Sequence, residues 1–328
     1  MNNPGLLSAG CVPCRVKATL GRKDQNSRLK TDLQTATPVS TAAWVGWLPL
    51  LILPAISILF RNRISAWLFM WTVSFAIFLG LKWITFWRAR DGVPHTAWRS
   101  LAYVAAWPGM DAEVFLDAKE HPTKPAARDW LWAILKTAVG VALLWMVARR
   151  VPQQHELIRG WIGLFGLVFL LHFGGFHLIA LFWQSIGVEA EPIMSKPILS
   201  KTLSEFWGKR WNLGFRQLAH DLILRPLHKL TGVAAAGLLV FVASGLIHDL
   251  VISLPARGGY GLPTGYFVLQ GLGVTLERSR LGRRLGLQAG PAAWIFMVLV
   301  TAVPAFWLFH PPFVLRVILP FMRAAHAL

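Results

Sequence analysis

Apolar residues run in long blocks along this chain, and polar residues gather between them. The blocks fall at 41–60, 64–87, 129–148, 160–187, 231–254, 261–276, 290–310 and 312–327. A helix needs about 20 apolar residues to cross a hydrocarbon core of ~30 Å. The pattern therefore predicts an all-α fold, a polytopic transmembrane helical bundle of about eight spans. The sixth block is short and rich in glycine. The eighth follows His310-Pro311-Pro312 and carries Arg316, which suits a tilted or interfacial helix.

The longest late polar segment is 188–230. Its first part, "VEAEPIMSKPILSKTLSEF", has two prolines and several Ser/Thr turn signals. From Ser204 to Leu230 the spacing turns helical, with Phe206, Leu213, Leu218, Leu222 and Leu227 among charged positions. This predicts amphipathic helices at the membrane interface. Ser204 is placed to cap the first of them, with Glu205 in its first turn. Arg225-Pro226 is expected to break the helix before the fifth span.

Composition agrees with a bilayer setting. The chain has 328 residues, 55% of them apolar, and a mean hydropathy of +0.50. Its net charge of +18 would suggest nucleic acid in a soluble protein. Here the basic residues cluster between apolar runs, so no nucleic-acid partner is expected and membrane lipids are. With the N-terminus inside and the spans alternating, 24 Lys and Arg fall inside and 6 outside, counting Arg323 with the C-terminal side. Both termini and the 188–230 segment are then cytoplasmic. Lys82, Lys136 and Arg316 remain within spans. Residues 1–40 have no apolar signal-peptide core and are rich in Ser, Thr, Asn, Gln, Lys and Arg. They are expected to form a disordered basic tail before a single domain at 41–328. The two cysteines, Cys11 and Cys14, form a lone CxxC in that tail with no second pair, and an incidental role is expected.

Ionisable groups inside the spans are the candidates for chemistry. His248 stands in "FVASGLIHDL" (Phe241–Leu250), with Ser244 one turn earlier on the same face and Gly245 open to a close helix approach. It reads equally as a general base or as a structural histidine. Asn212 ends "SEFWGKRWN" (Ser204–Asn212) and could orient a substrate or steady negative charge on a carbonyl oxygen. It reads also as a headgroup-level surface residue. Lys209, Arg210 and Arg216 could hold phosphates, or simply mark a basic loop. Phe206, Trp207 and Trp211 make the stretch aromatic, and an interfacial belt is the default reading of the two Trp. His172 and His177 in "LHFGGFHL" are five apart, unlike one-face metal pairs, and are expected to pack. His220, followed by Asp221, and His228 near the interface could each serve as a base, and a solvated or lipid-facing role is the expectation for both. No metal site, serine nucleophile elbow or phosphate-binding loop is expected.

"SEFWGKRWN" followed by "FVASGLIHDL" resembles the membrane-bound O-acyltransferase family, in its wax synthase-like branch. "AWPGMDAEVFL" (Ala106–Leu116) is similar to a segment of bacterial relatives. The resemblance implies a catalytic pair, His248 as base and Asn212 as orienting or oxyanion group. It makes 188–230 a cytoplasmic or re-entrant active-site segment, with Phe206, Trp207, Lys209, Arg210, Trp211, Arg216 and Ser244 around the substrates. It implies no cofactor, acyl-CoA as co-substrate, a lipid or other hydroxyl acceptor, and a multi-pass protein of a bacterial inner membrane. Wax ester synthesis is the first activity implied. Acylation of a glycan, polyketide or other small hydroxyl compound is the alternative, and a non-catalytic membrane protein or transporter is a third reading.

Overall fold

The computed structural model describes residues 44–119 and 122–328. The expected tail, residues 1–40 with Cys11 and Cys14, lies outside the described residues. All regular structure within the described residues is helical.

Five helices are long and apolar enough to cross a membrane: α2 (Ala66–Ala89), α5 (Ala127–Arg150), α6 (Glu156–Ser185), α8 (Leu213–Ala256) and α11 (Gly290–Leu308). Three further apolar helices match the other expected spans. These are α1 (Leu48–Leu59), α9 (Leu262–Arg278) and α12 (311–324). Helix α1 covers only about 18 Å at 1.5 Å per residue, short of a bilayer core. Helix α9 covers about 26 Å and approaches one. Short helices α3 (Ala97–Ala106), α4 (Ala112–Leu116), α7 (203–210) and α10 (Arg280–Arg284) lie between them. Large apolar side chains point outward along the spans, including Leu131, Trp132 and Ile134 on α5, Leu239 on α8 and Leu299 on α11. In water such a surface would drive association; in lipid it is the solvated face.

The 204–230 segment differs from expectation in three ways. The cap is Thr202, whose hydroxyl accepts the Glu205 N–H at 3.1 Å. Ser204 instead lies inside the first turn. The helix then stops at Trp211, in extended backbone, and Asn212, in the left-handed region (φ 46°, ψ 61°). Finally, Pro226 does not break α8. A wide π-type turn, His220–Leu224, precedes it and displaces the carbonyls that the ring would strike. The interruption comes at Gly232, whose φ of 82° suits a residue without Cβ.

Helix α8 packs along α9. Gly245 makes this possible, because a Cβ there would stand 2.6 Å from the Thr264 Cα. Backbone cannot yield as a flexible side chain can. Gly245→Ala is expected to lower the apparent melting temperature of the detergent-solubilised protein, by roughly 1–3 kcal/mol of stability. An unchanged melting curve would mean that the two helices are not held this closely.

Candidate active site

Helix α9 organises the candidate site from both of its ends. Its N-cap position is Gly261, which has no side chain to satisfy the first backbone N–H groups. Asp249 supplies the missing acceptor from the neighbouring α8. Its carboxylate accepts the Gly261 N–H (2.9 Å), the Thr264 N–H (3.1 Å), the Ser253 hydroxyl (2.7 Å) and the Thr264 hydroxyl. Behind it stands His310, fully buried. The Phe313 N–H donates to its Nδ1, so the proton sits on Nε2 and is donated to the Ser253 oxygen at 3.2 Å. At the other end of α9, the buried Glu277 carboxylate accepts the N–H groups of Leu203 (2.7 Å) and Ser204 (3.2 Å). One helix thus fixes the turn after His248 and the start of the aromatic stretch.

His248 is the last residue before a wide turn, Asp249–Ser253. Its Nδ1 lies 2.7 Å from the Ser244 carbonyl oxygen, which can only accept. The proton of the neutral ring is therefore on Nδ1, and Nε2 keeps its lone pair. Nε2 has no hydrogen-bond partner among the described residues. Ser244 meets the ring through its backbone carbonyl. The imidazole rests against Phe267 of α9, with ring centres 4.4 Å apart.

Phe267 also meets Trp207, at 5.8 Å. Trp207 donates its indole N–H to Gln270 (3.2 Å), and the buried Gln270 amide donates to the Val300 carbonyl (2.7 Å). Phe241 closes a further side of the indole at 5.7 Å. Trp207 is therefore wedged between α8 and α9, and the belt reading fails for it. Trp211 stacks on Phe206 with centres 5.3 Å apart and planes 18° apart, and meets Phe173 of α6.

Asn212 occupies the left-handed turn between α7 and α8. Its backbone carbonyl accepts the Arg216 N–H, and its backbone N–H faces the Met194 sulfur at 3.3 Å. Its side-chain Oδ1 is buried and has no hydrogen-bond partner. Asn212 and His248 make no direct hydrogen bond. They are linked through the rings of Trp211, Trp207 and Phe267. The turn is shored up by the loop of "AWPGMDAEVFL", because a Cβ at Gly214 would stand 3.1 Å from the Met110 N. Lys82, fully buried in α2, holds that loop. Its Nζ donates to the Gly109 carbonyl at 2.6 Å and lies over the Tyr103 ring.

Two of the three candidate phosphate-holding cations already serve the protein. Arg210 pairs with Glu205 at 2.6 Å and donates to the Ser195 carbonyl. The Lys201 backbone N–H, and then Arg210, hold the Glu205 carboxyl below its usual value against the opposing effect of burial. Arg216 donates to the Gly208 carbonyl at 2.8 Å. Lys209 is exposed and has no side-chain partner among the described residues. His177 meets Lys136 at 2.9 Å, and the buried His172 Nδ1 has no partner. A π-type turn, Val168–Gly175, runs through the His172 segment. His220 pairs with Asp221, and His228 with the Arg225 carbonyl, both at the surface. Among the described residues no group of three or more His, Cys, Asp or Glu could hold a metal ion.

Asp249, Phe267, Gln270 and Glu277 were not singled out in the sequence. The signal for Asp249 was a helix start, "GLPTG", with no capping side chain of its own.

Residues 190–269 match the sequence model of the "Membrane bound O-acyl transferase family". The chain is 30% identical over 146 residues to "Probable long-chain-alcohol O-fatty-acyltransferase 7" of Arabidopsis thaliana, covering 38% of this chain and 41% of that protein. It is 29% identical over 144 residues to the "Long-chain-alcohol O-fatty-acyltransferase" of Simmondsia chinensis, covering 40% of each. It is 30% identical over 138 residues to "Acyl-CoA--sterol O-acyltransferase 1" of Arabidopsis thaliana, covering 38% and 39%. The chain thus spans about two fifths of the length of these relatives. The matched segment contains Asn212, Trp207, His248 and Phe267, and over this segment the chain is similar to the membrane-bound O-acyltransferase family and to wax synthase-like relatives.

Proposed function

We propose that this protein is a membrane-embedded O-acyltransferase that moves a fatty acyl group from acyl-CoA to the hydroxyl of a lipid alcohol. The observation that carries the reading is the bare Nε2 of His248, aimed by the Nδ1–Ser244 hydrogen bond and set beside Phe267. Nε2 takes the proton of the acceptor hydroxyl. The hydroxyl oxygen attacks the thioester carbonyl, the carbon–sulfur bond breaks, and the thiolate of coenzyme A leaves with a proton returned from the imidazolium. Asn212 orients a reacting group or steadies the oxyanion. Its buried, unpartnered Oδ1 supports a role toward substrate rather than toward the fold. The aromatic wall of Phe206, Trp207 and Trp211 suits the apolar chains of both substrates. Lys209 is the cation best free to meet the phosphates of coenzyme A.

A long-chain alcohol is the favoured acceptor, after the names of two relatives. The sterol-acylating relative favours a ring alcohol as the second reading. A glycan or polyketide acceptor has no such support, nor does a bacterial inner membrane, since these relatives are plant proteins. The test is to incubate the purified full chain with acyl-CoAs of several lengths and a panel of fatty alcohols, sterols and sugars. Mass spectrometry is expected to find esters of the apolar alcohols. A panel without any ester above the heat-killed control would defeat the assignment.

A further inference from the structure

Three arginines unused by the candidate active site, Arg61, Arg257 and Arg316, line one cavity of about 470 Å³. The cavity lies where the turn after α1, the end of α8 and the start of α12 come together. Arg257 holds a left-handed backbone (φ 50°, ψ 44°) at the end of α8, a conformation that long side chains seldom adopt. Its guanidinium donates to the Asn62 side-chain oxygen at 2.9 Å. Arg316 donates from Nη1 to the Ala256 and Arg257 carbonyls, both at 3.1 Å. Arg61 has no side-chain partner among the described residues.

A guanidinium has five N–H donors, so Arg257 and Arg316 are positioned by these bonds without being used up. No Asp or Glu lines the cavity. Three like charges around one space, two of them fixed by neutral groups and none facing a counter-charge, repel one another until an anion joins them. Tyr260 and the arginines form an exposed rim, while Phe69 and Ala256 form a buried apolar floor. On the topology expected from the sequence, this end of the bundle is the non-cytoplasmic one, with 6 of the 30 Lys and Arg outside the spans' interiors.

We propose that this cavity binds a phosphate-bearing anion. The planar, forked donors of arginine match phosphate oxygens. The apolar floor beneath a charged rim fits the head and upper chain of an anionic phospholipid. A soluble phosphate ester offers the same head-group chemistry without the tail.

The test uses the full chain purified in a neutral detergent. Native mass spectrometry reads the bound ratio from an equimolar mixture of phosphatidylglycerol and phosphatidylcholine. A second arm measures thermal stabilisation by glycerol phosphate, which separates the soluble source from the lipid one. Wild type is expected to prefer phosphatidylglycerol, or to be stabilised by glycerol phosphate. The double variant Arg61→Gln, Arg257→Gln is expected to lose that response by about tenfold or more. Arg61→Gln alone, at a side chain without a protein partner, is expected to weaken it with the melting temperature unchanged. The proposal is overturned if both variants keep the wild-type response, or if wild type shows no preference in either arm.

Discussion

His248→Gln is expected to leave the protein folded and membrane-inserted but to stop ester formation. Glutamine keeps most of the bulk of histidine and can still donate to the Ser244 carbonyl, so the contact with Phe267 survives. What it lacks is a basic nitrogen for the acceptor proton. Loss of a general base slows a reaction by about 10²–10⁴-fold, or roughly 3–5 kcal/mol of barrier. A purely structural histidine would give the opposite pattern, with rate largely kept and melting temperature lowered, most of all in His248→Ala. His220→Ala and His228→Ala are the controls, since both rings lie at the surface on local partners. Should His248→Gln turn over at the wild-type rate, the base is misassigned.

The second large effect is expected at Asp249. Its carboxylate gathers four hydrogen bonds from Ser253, Gly261 and Thr264. Asp249→Ala leaves the Gly261 and Thr264 N–H groups without this acceptor, at the start of a helix whose N-cap is glycine. Loss of such a charged acceptor is expected to remove roughly 2–4 kcal/mol of stability. Activity falls with it, because α9 carries Phe267 against His248 and Gln270 against Trp207. Asp249→Asn keeps one carbonyl acceptor and is expected to lie between the two. The readouts are apparent melting temperature in detergent and ester formation on the same preparation. If Asp249→Ala melted like wild type, the cap would not hold α9 in place.

The spans were legible because lipid imposes a simple code of length and polarity. The blocks at 64–87 and 129–148 reappear as Ala66–Ala89 and Ala127–Arg150 with ends shifted by two residues. The local breaks were less legible. Helical spacing continues through Asn212, yet its backbone turns left-handed where 193–213 pairings hold it: the Leu213 N–H donates to the Ile193 carbonyl, and the Ser195 N–H to the Arg210 carbonyl. Pro226 reads as a helix stop unless the π-type turn before it is known. Asn212 was singled out through the resemblance of its motif, and His248 through that and its place as an imidazole within an apolar span. Asp249 was not, because its role lies on α9, across a turn from its own helix. Glu277 and Gln270 were hidden for a related reason. Gln270 belongs to the short, glycine-rich block and Glu277 follows it directly, and they meet the aromatic stretch from 63 and 74 positions away in sequence.

Lys82 bears on how the protein is made. Lys82 lies in the last third of Ala66–Ala89, where a lysine disfavours insertion by less than the roughly 2.5–3.5 kcal/mol it costs at a helix centre. The apolar remainder of Ala66–Ala89 must carry it into the bilayer. Its acceptor, the Gly109 carbonyl, comes off the ribosome 27 positions later. During that interval the ammonium has neither this carbonyl nor the Tyr103 ring, so snorkelling to the lipid surface is its favourable state. Docking of the 106–116 loop then draws the amine inward. The loop that takes the amine from the lipid surface is the same one that packs beneath Gly214 and the Asn212 turn.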